Sequence, residues 1–232
     1  MTRTRIKICG LTREQDVDAA VDAGADAVGF VLYAGSQRAV TPRRAAALAS
    51  RLPPFVTPVL LFVNEDASTA IDALAAVPGA IAQFHGDESP LQCLESSGAG
   101  RYRFMRAARI PLGAAGAGFD LVKYVSDFSH AQAILLDAHV DGYGGGGKVF
   151  DWSLLPTAVD AHLVLSGGLT PVNVGDGIRQ LRTRAKTLSV DVSSGVEADA
   201  PHDGMLKTVK GIKDADKIRD FVAAVRAADL AP

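Results

Sequence analysis

Eight short apolar runs, four to seven residues long, recur along the chain at Arg5–Cys9, Ala27–Tyr33, Pro58–Val63, Ala80–His85, Tyr102–Ala107, Ala133–Asp137, Leu163–Ser166 and Leu188–Val192. Continuous rather than alternating apolarity marks a strand covered on both faces, as in a parallel sheet. Between most of these runs lie stretches with helical spacing: Thr12–Ala23, Arg43–Arg51, Ser68–Val77, Pro90–Ser97, Val172–Arg184 and Asp214–Ala228. Parallel strands need crossover connections, so this alternation leaves two architectures, a closed barrel or an open doubly wound sheet. The 232 residues come close to the roughly 250 of one βα barrel, so a single domain over 1–232 is expected.

Helix-start signals keep the phase of the alternation. Thr12 precedes Glu14 and Asp16, and the pairs Thr41-Pro42, Ser89-Pro90 and Thr170-Pro171 put proline at a first turn. Two features favour the closed (β/α)8 TIM barrel. Chemically suggestive residues end many different strands, as a barrel mouth requires, instead of gathering at one switch point. Glycine clusters also follow the seventh and eighth runs, in Ser166-Gly167-Gly168 and Ser193-Ser194-Gly195, where barrels commonly hold phosphate. The sixth unit is atypical: Asp137 leads into Tyr143 and Gly144 to Lys148, with only a short helical segment near Asp151–Ala158. A glycine-rich loop there is suited to closing over a ligand.

Charge and hydropathy narrow the function classes. Hydrophobic residues make up 48% and charged residues 22% of the chain, the balance of a folded domain with a large core. A formal net charge of −2 provides no basic field, so nucleic acid is not an expected partner. No apolar run reaches the roughly 18 residues of a membrane span, and Met1–Gly10 has no apolar segment of the secretory type. A cytoplasmic protein with no membrane partner and with reduced thiols at Cys9 and Cys93 is therefore expected. Monomer and homodimer are both compatible with the pattern.

Cys9 ends the first run in Lys7-Ile8-Cys9-Gly10, at the mouth of the expected barrel. A free cysteine is ordinarily a small buried apolar group. For a thiol to act as a base, a neighbouring cation or dipole must lower its pKa; Lys7 is read as facing away from it, and Cys93 as a packing residue of the fourth helix. Asp137 ends the apolar Ile134-Leu135-Leu136. It is either a cap or ion-pair partner at a strand end, or a carboxyl whose protonated form burial favours, as a general acid needs. Arg38 follows the second run, either as a solvated loop arginine or as a guanidinium able to pair with a carboxylate in a two-bond fork. His85 ends the fourth, without metal-ligand spacing to His130, His139, His162 or His202, so no metal is expected. The two glycine clusters either simply permit tight turns or bring backbone N–H groups together on one small dianion. Gly144 to Lys148 lacks the hydroxyl residue that follows the lysine of a nucleotide P-loop.

These residues stand in ordered motifs. They include Lys7-Ile8-Cys9-Gly10-Leu11-Thr12, Gly24 to Phe30, Ser36 to Val40, Phe62-Val63-Asn64 and Gln83-Phe84-His85-Gly86. Leu135-Leu136-Asp137, Gly145 to Lys148 with Phe150-Asp151-Trp152, Leu165 to Leu169, and Val190 to Glu197 complete the series. In this order they resemble the phosphoribosylanthranilate isomerases of tryptophan biosynthesis, nearly end to end. The resemblance implies a cofactor-free Amadori rearrangement of N-(5-phosphoribosyl)anthranilate to its open-chain ketose. It gives Asp137 as general acid for ring opening and Cys9 as general base at C2′. It further implies that Arg38 binds the anthranilate carboxylate and that Gly168 and Ser194, with their neighbours Gly167, Ser193 and Gly195, line the phosphate site; His85 and Asp191 are also expected to bind substrate.

The chain departs from that family pattern after Glu197, inserting Ala198 through Lys210, which reads as a longer loop near the mouth. Two alternatives compete. A histidine-pathway isomerase performing the same rearrangement on an aminoimidazole ribotide would carry a carboxylate where Cys9 stands. An inactive phosphometabolite-binding barrel would need the loops but not both Cys9 and Asp137.

Overall fold

The computed structural model describes residues 3–138, 151–202 and 205–231. Eight parallel strands close into a barrel: β1 (Arg5–Cys9), β2 (Ala27–Val31), β3 (Thr57–Phe62), β4 (Ile81–Phe84), β5 (Phe104–Ile110), β6 (Ala133–Ala138), β7 (Val159–Leu165) and β8 (Ala185–Val192), with β8 paired back onto β1. The helices are α1 (Glu14–Asp22), α2 (Pro42–Ala49), α3 (Ala67–Ala76), α4 (Pro90–Ser96), α5 (Leu121–Asp127), α6 (Val174–Leu181) and α7 (Ala215–Leu230). No helix among the described residues is long and apolar enough to cross a membrane.

Local chemistry sets the best-defined helix starts. Thr41 accepts a hydrogen bond from the Arg44 N–H ahead of Pro42, and Ser89 with Gln92 forms a reciprocal capping box ahead of Pro90. Two expected starts are corrected. The Thr12 hydroxyl donates to Gly211 O instead of capping α1, which begins after Arg13. Thr170-Pro171 lies in a turn closed by Asn173, which accepts from Thr170 N and donates to Gly168 O, and α6 starts only at Val174. α5 has no counterpart in the sequence reading, since two turns capped by Asp120 carry little periodic signal. β7 begins at Val159, ahead of the expected Leu163, because the apolar run there is masked by the exposed Asp160 and His162.

Most buried apolar side chains fill the layer between sheet and helices, among them Phe30, Phe62, Phe84 and Phe221. Two smaller clusters occupy the barrel interior: Cys9, Val31, Leu61 and Val63, and separately Ala107, Leu135 and Val164. Buried charged and polar groups on β1, β4, β6 and β8 supply the rest of the interior.

The insertion is not a loop. Residues on either side of 203–204 form an antiparallel hairpin, β9 (Glu197–His202) and β10 (Met205–Lys213), because Leu206, Thr208 and Val209 are strand formers able to pair with the preceding segment. The glycine-rich segment Gly144 to Lys148, with Phe150, lies outside the described residues. The helical segment expected after it is a single 3-10 turn, Trp152–Leu154.

Candidate active site

Lys7 and Cys9 sit two residues apart on β1 and therefore face the same way, into the barrel. This corrects the reading that Lys7 faces away. Lys7 pairs across the closing β1–β8 seam with Asp191, and its Nζ donates to Asp191 Oδ1 at 2.8 Å with both side chains buried. Ser166 Oγ donates to the second oxygen of the same carboxylate at 3.3 Å. Gly29, opposite Cys9 on β2, makes the room: a Cβ there would lie 2.6 Å from the Cys9 sulfur and 3.1 Å from Lys7 Nζ.

Burial works against the Lys7 ammonium, but the Asp191 carboxylate and then Cys9 outweigh it and raise its pKa to about 12. At Cys9, burial pushes the thiol up from its ordinary value, and the Lys7 charge is the main opposing influence. The lowered thiol pKa that a base role calls for is thus not a property of the free site, although the required cation is in place. Since a thiolate is the basic form and burial pushes the thiol up, ionisation of Cys9 should set the limb of the kcat/KM profile on the alkaline side. Lys7→Met removes the cation while leaving Asp191, so the thiol becomes harder to ionise and the profile moves to higher pH. An unmoved kcat/KM profile would show that Lys7 does not govern the thiol.

Asp137 is the penultimate residue of β6, buried like Ala138 after it. Its Oδ2 lies 3.0 Å from His85 Nε2, and its Oδ1 accepts from the Ala138 N–H. His85 follows β4 and takes its position from backbone pairing, its N–H donating to Phe62 O. Cys93 is fully buried in α4, and burial raises its thiol to about 12, as suits a packing residue.

The two-bond fork expected of Arg38 exists, but its carboxylate comes from the protein. Arg38 Nε and Nη2 donate to the Glu197 oxygens at 2.6 and 2.8 Å. Glu197 is 1% exposed and also accepts from Gly211 N and Lys213 Nζ, since a charge so deeply buried has to be paired. Burial opposes ionisation of Glu197, yet Arg38, Lys213 and the Gly211 N–H together hold its carboxyl below the usual range. Lys213 in turn is lowered by burial, partly offset by Glu197, and donates to Ser193 O at 2.9 Å. The base of the β9–β10 hairpin thereby ties Arg38 to the loop after β8. Among the described residues Arg38 Nη1 has no partner.

The glycine loops after β7 and β8 meet. A Cβ at Gly195 would fall 1.9 Å from Leu169 O, so only glycine permits that approach. Gly167 and Gly168 precede this contact, and Ser193 and Ser194 lead into the short 3-10 turn Ser194–Val196. Among the described residues the Gly167 and Gly168 N–H groups make no backbone hydrogen bond, which leaves donors for an anion. No group of three or more His, Cys, Asp or Glu side chains among the described residues is arranged to hold a metal ion.

The structure thus gathers Cys9, Asp137, His85, Asp191 and both glycine loops at one barrel mouth, with Arg38 braced at its rim. Lys7, Gln83, Glu197 and Lys213 were not singled out from sequence. A lysine and a glutamine inside apolar strands, each two residues before a candidate, were the available signals for the first two. Nothing local marks Glu197 or Lys213.

The model of the N-(5′-phosphoribosyl)anthranilate (PRA) isomerase family matches residues 6–224. The N-(5′-phosphoribosyl)anthranilate isomerase of Methylibium petroleiphilum is 59% identical over 227 residues, covering 98% of this chain and 96% of that protein. The crystal structure of phosphoribosyl anthranilate isomerase from Thermotoga maritima, 37% identical, aligns with a TM-score of 0.79 over 97% of this chain and 99% of that one. A phosphoribosyl anthranilate isomerase crystallised in complex with reduced 1-(o-carboxyphenylamino)-1-deoxyribulose 5-phosphate aligns at 0.73 with 33% identity, again over 97% and 99%. A closed eightfold barrel, a polar mouth built from six of its strand ends and loops, and this agreement over nearly the whole length lead to one assignment: the chain belongs to the phosphoribosylanthranilate isomerase family, isomerases of tryptophan biosynthesis.

Proposed function

We propose that this protein converts N-(5-phosphoribosyl)anthranilate to 1-(2-carboxyphenylamino)-1-deoxyribulose 5-phosphate by a cofactor-free Amadori rearrangement, with Asp137 as general acid and Cys9 as general base. The observation that carries the reading is the pairing of opposite supports at one mouth. A buried carboxyl is held by a histidine, and a buried thiol lies beside a lysine ammonium. Asp137 protonates the furanose oxygen as the aryl nitrogen lone pair opens the ring to an iminium. Cys9, as thiolate, then removes the proton from C2′. The enolamine so formed loses its hydroxyl proton and gains one at C1′, giving the ketone with no net change in atoms or electrons. Proton transfers of this kind each contribute about 10²- to 10⁴-fold.

Binding follows from the same residues. The loops carrying Gly167, Gly168, Ser193, Ser194 and Gly195 offer backbone donors to the 5′-phosphate. Arg38, braced through Nε and Nη2, keeps Nη1 for the anthranilate carboxylate. Asp191 acts on substrate through the Lys7–Cys9 pair as well as by its own position. The related structure that holds a reduced carboxyphenylamino-deoxyribulose phosphate is consistent with a ligand of this chemistry.

Freshly generated phosphoribosylanthranilate supplied to the purified protein should be consumed, while the aminoimidazole ribotide of histidine biosynthesis, run in parallel, should not. No consumption of the first would overturn the proposal. Consumption of both would make the protein a bifunctional isomerase and overturn its restriction to one substrate.

A further inference from the structure

Asp137 is held at the end of a chain of buried side chains that begins on β4. Gln83 and His85 are two residues apart and share the interior face, and Gln83 is 0% exposed. Gln83 Nε2 lies 3.0 Å from His85 Nδ1, and His85 Nε2 lies 3.0 Å from Asp137 Oδ2. An amide nitrogen only donates, so Nδ1 is the acceptor and the single proton of a neutral ring sits on Nε2, directed at Asp137.

The ring itself has little freedom to move. Arg106 on β5 donates to Phe84 O and Gly86 O, the carbonyls on either side of His85, at 2.9 Å each. Glu88 accepts from Gly86 N and is paired with Arg106 at 2.8 Å. These two charges neutralise each other behind the histidine, and Arg109, in register with Asp137, contacts Asp87. What remains adjustable is the position of the imidazole proton.

From this arrangement we propose that Gln83 is a positioning residue for ring opening: it fixes His85 as the neutral Nε2–H tautomer, so that Asp137 receives a hydrogen bond at Oδ2 and delivers its proton from Oδ1. The proposal rests on Asp137 being the general acid. An imidazolium in this place would pair with Asp137 as an ion and hold it as carboxylate, depriving the acid of its proton. The Gln83 amide opposes that state, because protonating Nδ1 would set N–H against N–H₂. When Asp137 gives up its proton, the Nε2–H stabilises the carboxylate that forms. Gly167 leaves room beside Oδ1, which also accepts from the Ala138 N–H, since a Cβ there would lie 2.8 Å from that oxygen.

The orientation of the Gln83 amide is what decides the tautomer. Gln83 Oε1 is buried without a partner, a state that costs about 1–3 kcal/mol. Turning the amide over would satisfy that oxygen only by moving the ring proton to Nδ1. Nε2 would then face Asp137 either bare or as part of an imidazolium.

The test starts with the wild-type protein labelled with 15N in its histidine rings, the His85 signals being identified by their loss in His85→Asn. At neutral pH the expected state is a bare Nδ1 and a protonated Nε2. A proton on Nδ1, alone or together with Nε2, overturns the proposal. Gln83→Glu places an acceptor at Nδ1 with almost unchanged shape and should draw a proton there. Asp137 then faces an imidazolium that holds it as carboxylate, so kcat should fall toward the level of Asp137→Asn, with KM little changed. An unchanged kcat in Gln83→Glu overturns the proposal as well. Should that variant fail to fold, the wild-type tautomer decides. Failure here is distinct from failure of the acid assignment: near-normal turnover in Asp137→Asn removes the latter whatever tautomer His85 adopts.

Discussion

Asp137→Asn and Cys9→Ala are each expected to lower kcat by about 10²- to 10⁴-fold, the contribution of one positioned proton-transfer group. Asparagine keeps the shape of the carboxyl and can still accept from His85 Nε2, but it has no acidic proton to give to the furanose oxygen. Alanine at position 9 removes the sulfur and leaves Lys7 paired with Asp191, so the barrel should close as before. Neither side chain belongs to the loops around Gly168 and Ser194, so binding of a product-like phosphate, followed by calorimetry, should change little. A loss of kcat with retained binding is the mark of an interaction made in the transition state. Losses in the double variant should be far from additive if the two groups serve one reaction. Near-normal turnover in either single variant would remove the acid–base assignment.

Glu197→Ala should destabilise the fold by about 3–5 kcal/mol, the range for removing one member of a buried ion pair. The reason lies in what stays behind. Arg38 and Lys213 both direct their charges at this one carboxylate, and each is almost completely buried. Without it, two cations face each other with no counter-ion, and the Gly211 N–H loses its acceptor. Urea unfolding at neutral pH measures the loss, and a change below about 1 kcal/mol, the level of an exposed pair, would show that the cluster does not hold the hairpin to the barrel. The pH dependence carries a definite sign. Because the folded protein holds the Glu197 carboxyl below its ordinary range, its contribution is present above the ordinary carboxylate pKa and is lost as pH falls through the folded value. Glu197→Gln should therefore narrow its stability deficit as the medium is acidified. Since the same carboxylate braces Arg38, KM for phosphoribosylanthranilate should rise in both variants.

Much of the fold was legible because its signals are short-range. β1 occurs at Arg5–Cys9 as expected, and α2 and α4 start where Thr41-Pro42 and Ser89-Pro90 place them, since a cap and a proline act within one turn. α5 was lost because seven residues give too few repeats to establish a period. Polarity alone makes the insertion after Glu197 read as a loop, whereas pairing of β9 with β10 satisfies its backbone groups. Cys9 and Asp137 stood out because a reactive side chain at the end of an apolar strand is visible in one dimension. Lys7 shares the face of Cys9 because a spacing of two on a strand puts both on one side, contrary to the expectation that it faces away.

By itself, then, the sequence determined the alternation of strand and helix, the residues that end each strand, and the glycines that let the late loops approach one another. All of these depend on neighbours within a few positions. Only the tertiary structure decided which charges meet. Lys7 finds Asp191 across 184 positions because β8 closes onto β1, and Arg38 finds Glu197 across 159 because the hairpin base folds back over the mouth. The tautomer-setting contact of Gln83 with His85 is local, but its consequence for Asp137 appears only when β4 and β6 lie in the same barrel wall. The physical reason is one throughout: a buried charge must be paired, and the chain does not reveal its partner until closure brings distant strands into contact.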